Sequence, residues 1–129
     1  MKVAIIGAAG TQAQGVIRDL AISKDVEHIV LSDLESKKGV MTKRAKDWGE
    51  GKETVIPVDV NDAEKLREVI HGCDVVANCT SHKFNLQIMS ACYQEGCHYT
   101  DLGGLFHYYR KQVLEHEKWK ERGITAVLG

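Results

Sequence analysis

The stretch from Met1 to Asp33 limits the fold more tightly than any other. Val3-Ala4-Ile5-Ile6 is apolar without alternation, the pattern of a strand buried on both faces in the middle of a parallel sheet. The turn Gly7-Ala8-Ala9-Gly10 follows. A helical stretch (about Thr11 to Ser23) and a second apolar run (His28 to Ser32) then lead to Asp33. Glycines allow a sharp turn and a close approach of backbone to ligand. A helix behind such a turn points its free N–H groups and the positive end of its dipole at an anion. An acid closing the second strand suits a ribose diol. Gly7 and Gly10 are therefore expected to form a pyrophosphate-binding turn. Ala9 stands where Gly-x-Gly-x-x-Gly has its middle glycine and Gln12 where it has the third; Ala9 is small enough to keep the turn tight. Thr11 is expected to cap the helix and to offer its hydroxyl to a phosphate.

The rest of the chain repeats this alternation. In the first helix Val16, Ile17, Leu20 and Ala21 form one stripe, and Gly15 is expected to permit close packing on the sheet. A basic helix (Ser36 to Trp48) carries Lys37, Lys38, Lys43, Arg44 and Lys46; we read it as a solvated face, with Lys37 or Lys38 within reach of a 2′-phosphate. Further strands are expected at Thr54–Val58, Asp74–Asn78, His98–Leu102 and Ile124–Leu128. The helices between them are one capped by Asn61 with Glu64 and stopped by Gly72, then Phe84–Glu95, then His107–Arg122 with Tyr109, Val113 and Trp119 inward. Six strands alternating with helices imply parallel pairing through right-handed crossovers. They predict an α/β, doubly wound sheet in the order 3-2-1-4-5-6 with helices on both faces.

Ligands of such sheets bind beyond the carboxyl ends of the strands, at the switch point. Asp59 and Val60 are expected beside an adenine, Asp59 accepting from its amino group and Val60 packing on the ring. Cys79 and Thr80 would flank the ribose on the nicotinamide side. The cofactor set read from the sequence is thus Gly7, Ala9, Gly10, Thr11, Gln12, Asp33, Asp59, Val60, Cys79 and Thr80. Asp33 would repel a 2′-phosphate and tilts the expectation to NAD over NADP, against the nearby lysines. His82, Lys83, Tyr99 and Asp101 are local candidates for a proton acceptor, none of them assigned a catalytic role; Asp101 is expected to order the Gly103-Gly104 turn.

With 129 residues the chain is expected to be one domain. A net charge of −1 gives no reason to expect nucleic acid, and no apolar run approaches the length of a membrane span. With no signal-peptide pattern at the N-terminus, a cytoplasmic location is expected. The cysteines Cys73, Cys79, Cys92 and Cys97 are read as free buried thiols, and Cys92, Cys97 and His98 match no zinc spacing, so no metal is expected.

Asn78-Cys79-Thr80, Phe84-Asn85-Leu86, the run from Glu95-Gly96-Cys97-His98-Tyr99 through Thr100-Asp101-Leu102-Gly103-Gly104, and Leu105-Phe106-His107 together resemble the cofactor domain of the saccharopine dehydrogenase family, which includes lysine dehydrogenase-like and carboxynorspermidine dehydrogenase-like enzymes. The resemblance covers the whole chain. It implies a Rossmann domain for NAD or NADP, serving oxidation at a carbon–nitrogen bond of an amino acid or polyamine. It also implies a following substrate and dimerisation domain, so that substrate binding and a homodimer would depend on residues beyond Gly129. The alternative is a free-standing nucleotide-sensing module without catalysis. A short-chain dehydrogenase is disfavoured: Gly7, Gly10 and Ala13 approximate its turn, but Tyr108-Tyr109-Arg110-Lys111 does not supply Tyr-x-x-x-Lys.

Overall fold

The computed structural model describes residues 1–129. The chain runs β1 (Lys2–Ile6), α1 (Ala13–Ile22), β2 (His28–Ser32), α2 (Lys38–Trp48), β3 (Glu53–Val55), α3 (Ala63–Ile70), β4 (Val75–Asn78), α4 (Asn85–Glu95), β5 (His98–Asp101), α5 (Phe106–Val113), α6 (His116–Glu121) and β6 (Ala126–Val127). Short 3₁₀ turns at Glu35–Lys37 and His82–Phe84 lead into α2 and α4. The sheet has six parallel strands in the expected order, β3-β2-β1-β4-β5-β6. The winding reverses between β1 and β4, where Ile6 lies beside Asn78.

Successive residues of β1 supply two cores. Val3 and Ile5 share one face with Ala13, Ile17 and Ala21 of α1 and Met41 of α2. Ala4 and Ile6 share the other with Leu66 and Ile70 of α3 and Ile88, Met89 and Cys92 of α4. Each fully buried large aliphatic contributes about 1.5–3 kcal/mol, so these two layers fix the strand ends from which the loops project.

Local boundaries differ from expectation for physical reasons. α1 begins at Ala13; Thr11 and Gln12 belong to the turn, and no side chain caps the helix. Gly15 faces solvent, with nothing within 4 Å of where a Cβ would stand; buried Ala13 is the small residue that seats the helix on the sheet. β3 stops at Val55, two residues before Pro57, which has no N–H to give. The Ile56 and Val58 amides still reach the Leu31 and Asp33 carbonyls. Asp62, not Asn61, caps α3: its carboxylate accepts from the Lys65 amide at 3.2 Å, which holds its pKa below the usual carboxylate range.

The expected single helix after β5 is two, α5 and α6, joined through Leu114 and Glu115. Tyr109 and Val113 are exposed, while Gln112 and Trp119 are buried. All four cysteines are free; Cys73, Cys92 and Cys97 are buried and Cys79 half-buried. Burial pushes the Cys97 and Cys79 thiols up to about 11.

Candidate dinucleotide site

Gly7 carries the chain out of β1 at φ 82°. A Cβ there would lie 2.8–2.9 Å from the Cys79 carbonyl group and the Thr80 nitrogen. Only glycine lets the two central strand ends stay this close. The Gly7 and Ala8 amides both donate to the Ser32 carbonyl at 2.8 and 3.0 Å, and the Gly10 amide closes the turn on the Gly7 carbonyl at 2.9 Å. The Thr11, Gln12 and Ala13 amides that follow have no protein acceptor. They are the free donors of a helix start, the groups that suit an anion.

Asp33, just beyond β2, accepts from the Ala9 amide at 3.0 Å through Oδ2 and from the Leu34 amide at 2.8 Å through Oδ1. Its carboxylate is thereby tied to the glycine turn. A cavity of about 380 Å³ opens at these strand ends, lined by Gly7, Gly10, Asp33, Asp59, Val60, Cys79 and Thr80 of the expected set. Leu34, Val58, Asn61 and Phe84 complete its walls. Ala9, Thr11 and Gln12 lie along the turn outside this lining. A second hollow of about 460 Å³ shares Leu34, Val58 and Asp59 and adds Glu35, Asp62 and Lys65. The largest hollow, about 510 Å³, lies between α4, α6 and β6 and includes no residue of the glycine turn. The smaller cavity is the candidate site because it joins the switch point to the free amides.

Asp59 orders its own loop, accepting from the Asn61 amide and side chain at 2.9 and 3.0 Å. Thr80 is held from beneath: its amide and hydroxyl donate to Asn78 Oδ1 at 2.9 and 2.6 Å. Asn78 begins a buried circuit. Its Nδ2 donates to Asn85 Oδ1 and to the Tyr99 hydroxyl, both at 2.9 Å. Tyr99 donates to Asp101 Oδ2 at 2.9 Å, Gln112 donates to the same oxygen at 2.6 Å, and Asn85 Nδ2 donates to Gln112 Oε1 at 3.4 Å.

None of the four candidate proton acceptors lines the cavity. Tyr99 is 1% exposed, and burial holds its phenol far above the ordinary value. Asp101 orders the following turn as expected, accepting from the Gly103 amide at 2.8 Å. His82 packs edge-on to Tyr108, ring centroids 5.1 Å apart, and over Gly104. Lys83 is exposed beside the Phe84 ring.

The basic face of α2 also departs from expectation. Arg44 is 9% exposed, and its guanidinium donates to the Ala8 and Gly10 carbonyls at 2.5 and 2.8 Å. Nothing in the sequence separates it from the lysines around it. Leu34 and Val58, by contrast, were open to inference as neighbours of Asp33 and Asp59 at two strand ends.

A doubly wound sheet, a glycine turn at its switch point and an acid closing β2 define a Rossmann-type NAD(P)-binding domain. Residues 3–127 match the model of the saccharopine dehydrogenase NADP binding domain, and the chain belongs to that family. Among solved structures it is similar to apo saccharopine dehydrogenase (L-Glu forming) from Saccharomyces cerevisiae, with a TM-score of 0.81 and 24% identity over 98% of this chain and 26% of that one. The chain thus spans about a quarter of that relative's length. It is similar also to a Rossmann-fold NAD(P)-binding family protein from Shigella flexneri, with a TM-score of 0.72 and 17% identity over 98% of this chain and 64% of that one. A short-chain dehydrogenase/reductase from Veillonella parvula DSM 2008, solved with NADP, has a TM-score of 0.69 and 17% identity over 98% of this chain and 67% of that one. At these identities the likeness is one of fold.

Proposed function

We propose that the chain is the cofactor-binding part of an oxidoreductase acting on a carbon–nitrogen bond of an amino acid or polyamine, with NAD favoured over NADP. The observation that carries the cofactor part is the cavity at the β1–β4 switch point, which joins the glycine turn, Asp33 and Thr80. The residues fit the group. Gly7 and Gly10 keep the turn close against the end of β4, the Thr11 and Gln12 amides are free to meet a phosphate, and Asp33 can accept from a ribose diol. Asp59 and Val60 would border the base, and Cys79 with Thr80 the second ribose. When bound, the nicotinamide supplies the hydride chemistry; this chain's residues bind and orient it.

The preference for NAD rests on charge. Asp33, Glu35, Asp59 and Asp62 border the two adjoining hollows. Of the lysines nearby, Lys38 lies 3.9 Å from Glu35 and Lys65 3.4 Å from Asp62, so each is partly neutralised. Substrate selection and the proton acceptor are assigned to residues beyond this domain. The cavity's lack of any of the four candidate acceptors favours a second reading as well, a nucleotide-sensing module without catalysis.

Fluorescence titration of NADH and NADPH tests the proposal. NADH is expected to bind more tightly, and Asp33→Ala to weaken NADH about tenfold while narrowing the gap to NADPH, as for loss of a charged hydrogen bond of about 1.5 kcal/mol. Failure to bind either dinucleotide sinks the central proposal; tighter NADPH binding sinks the NAD preference alone.

A further inference from the structure

We propose that Arg44 is the positioning residue of the phosphate turn, setting from α2 the direction in which the turn presents its N–H groups. This rests on the dinucleotide site proposed above. One guanidinium nitrogen bridges two carbonyls of the turn, Ala8 at 2.5 Å and Gly10 at 2.8 Å. The two N–H bonds of that nitrogen diverge, so a single atom can hold two peptide groups at once. Peptide groups here are trans throughout, and in a trans peptide the N–H points opposite the C=O. Drawing the Ala8 and Gly10 carbonyls toward α2 therefore turns the Ala9 and Thr11 N–H groups away from it. The Ala9 N–H shows where that leads, because it meets Asp33 Oδ2 at 3.0 Å and Asp33 lines the cavity. The Thr11 N–H, turned outward in the same way, has no protein acceptor.

This strut offsets an irregular fingerprint. Two of its three glycine positions are filled by Ala9 and Gln12, so the turn's conformation is less dictated by its own residues. Arg44 has no carboxylate within salt-bridge range; beside the two turn carbonyls, the Trp48 ring lies 5.5 Å from its guanidinium carbon. Arg18 of α1 lies over the same ring at 4.3 Å. Trp48 thereby couples the helix bearing the strut to the helix whose N-terminus it serves. The two N–H groups of one guanidinium nitrogen are thus taken up by the loop.

The test compares ligands with and without a pyrophosphate. Affinities of the full chain for NADH, NADPH, ADP-ribose and adenosine are measured by calorimetry for wild type, Arg44→Met and Arg44→Lys. Circular dichroism and urea midpoints establish that each variant is folded. For Arg44→Met we expect NADH and ADP-ribose to weaken by about 10-fold or more, on the order of 1.4 kcal/mol per tenfold, and adenosine, which reaches Asp33 through its ribose but has no pyrophosphate, to weaken at least about 3-fold less than ADP-ribose. Arg44→Lys keeps a charged donor and is expected to recover part of the loss. If the Met variant does not fold, a pyrophosphate-selective loss of about 3-fold or more in Arg44→Lys supports the proposal, and unchanged affinities overturn it.

Equal weakening of adenosine and ADP-ribose would mean a general structural role and overturns the proposal. Loss confined to NADPH would mean that the guanidinium leaves the turn for a 2′-phosphate, which overturns it too. Wild-type protein that binds neither dinucleotide refutes the site itself, an outcome separate from a normal wild type with an unaffected Arg44→Met.

Discussion

Gly7→Ala is the most direct probe of the packing that holds the switch point together. The new Cβ would stand 2.8–2.9 Å from the Cys79 carbonyl group and Thr80 nitrogen. These are backbone atoms, with no flexible side chain to yield. The residue must also keep φ near 82°, which costs alanine about 1–2 kcal/mol. Forcing β1 and β4 apart at their carboxyl ends adds about 1–3 kcal/mol, the usual range for overpacking. The sum is about 2–5 kcal/mol, a large part of a typical 5–15 kcal/mol total. At an m-value of about 2 kcal/mol/M, the urea midpoint should fall by roughly 1–2.5 M. Gly15→Ala is the internal control: the same atom enters open space in the first turn of α1. It should raise stability by about 0.5–1 kcal/mol. Both midpoints can be read from tryptophan fluorescence with circular dichroism as a second probe. A Gly7→Ala midpoint within about 0.3 M of wild type would refute the reasoning, because overlap and strain of this size must appear in the equilibrium. A destabilised Gly15→Ala would show that the helix face is not open.

Three further outcomes are expected. Iodoacetamide should label Cys79 first among the cysteines, slowly at neutral pH because burial pushes its thiol up to about 11, and more slowly still with NADH present; peptide mapping that found Cys92 modified first would contradict this. Tyr99→Phe removes one acceptor from Asn78 and one donor from Asp101 and should lower stability by about 1–3 kcal/mol in urea, with a loss under about 0.5 kcal/mol arguing against the buried circuit. Glu95 accepts from His71 and Arg67, each at 2.8 Å, and these bonds hold its carboxyl below the ordinary value. Its contribution is therefore full above the unfolded value of about 4.3 and lost as pH falls through the folded one. Glu95→Gln should flatten acid destabilisation in that window, and an unchanged pH profile would remove the assignment.

The architecture was legible because the central strands β1, β2 and β4 are short apolar runs between helical stretches; these and β5 fell within a residue of their expected bounds, while β3 and β6 are shorter than expected. The candidate cavity was legible as far as it consists of strand ends: Gly7, Asp33 and Cys79 each come directly after a strand, whereas Asp59 lines it from the loop beyond β3. What was not legible depends on partners distant in sequence. Arg44 has the composition of a solvated lysine-rich face, and only the return of the chain beneath the turn makes it a bridge. The rotation of α5 was misread for a related cause. An apolar stripe would place Tyr109 and Val113 inside, but Asp101 and Asn85 draw the Gln112 amide inward. There a polar demand, not apolar burial, sets which face is covered. Tyr99 was considered as a base for want of the same knowledge; its hydroxyl proton is already committed.

The buried circuit also has a direction. The Tyr99 hydroxyl gives its proton to Asp101, so the Asn78 atom that meets the Tyr99 oxygen is the donating amide nitrogen. The Asn78 amide is then fixed one way round, with its carbonyl oxygen turned to Thr80. That oxygen takes the Thr80 hydroxyl proton at 2.6 Å. The hydroxyl therefore shows only lone pairs to the cavity. While that bond holds, a ligand group that settles against Thr80 is expected to arrive as a donor, such as a sugar hydroxyl or a carboxamide N–H. A carboxylate at the end of β5 thus bears on the sign of a contact at the end of the neighbouring β4.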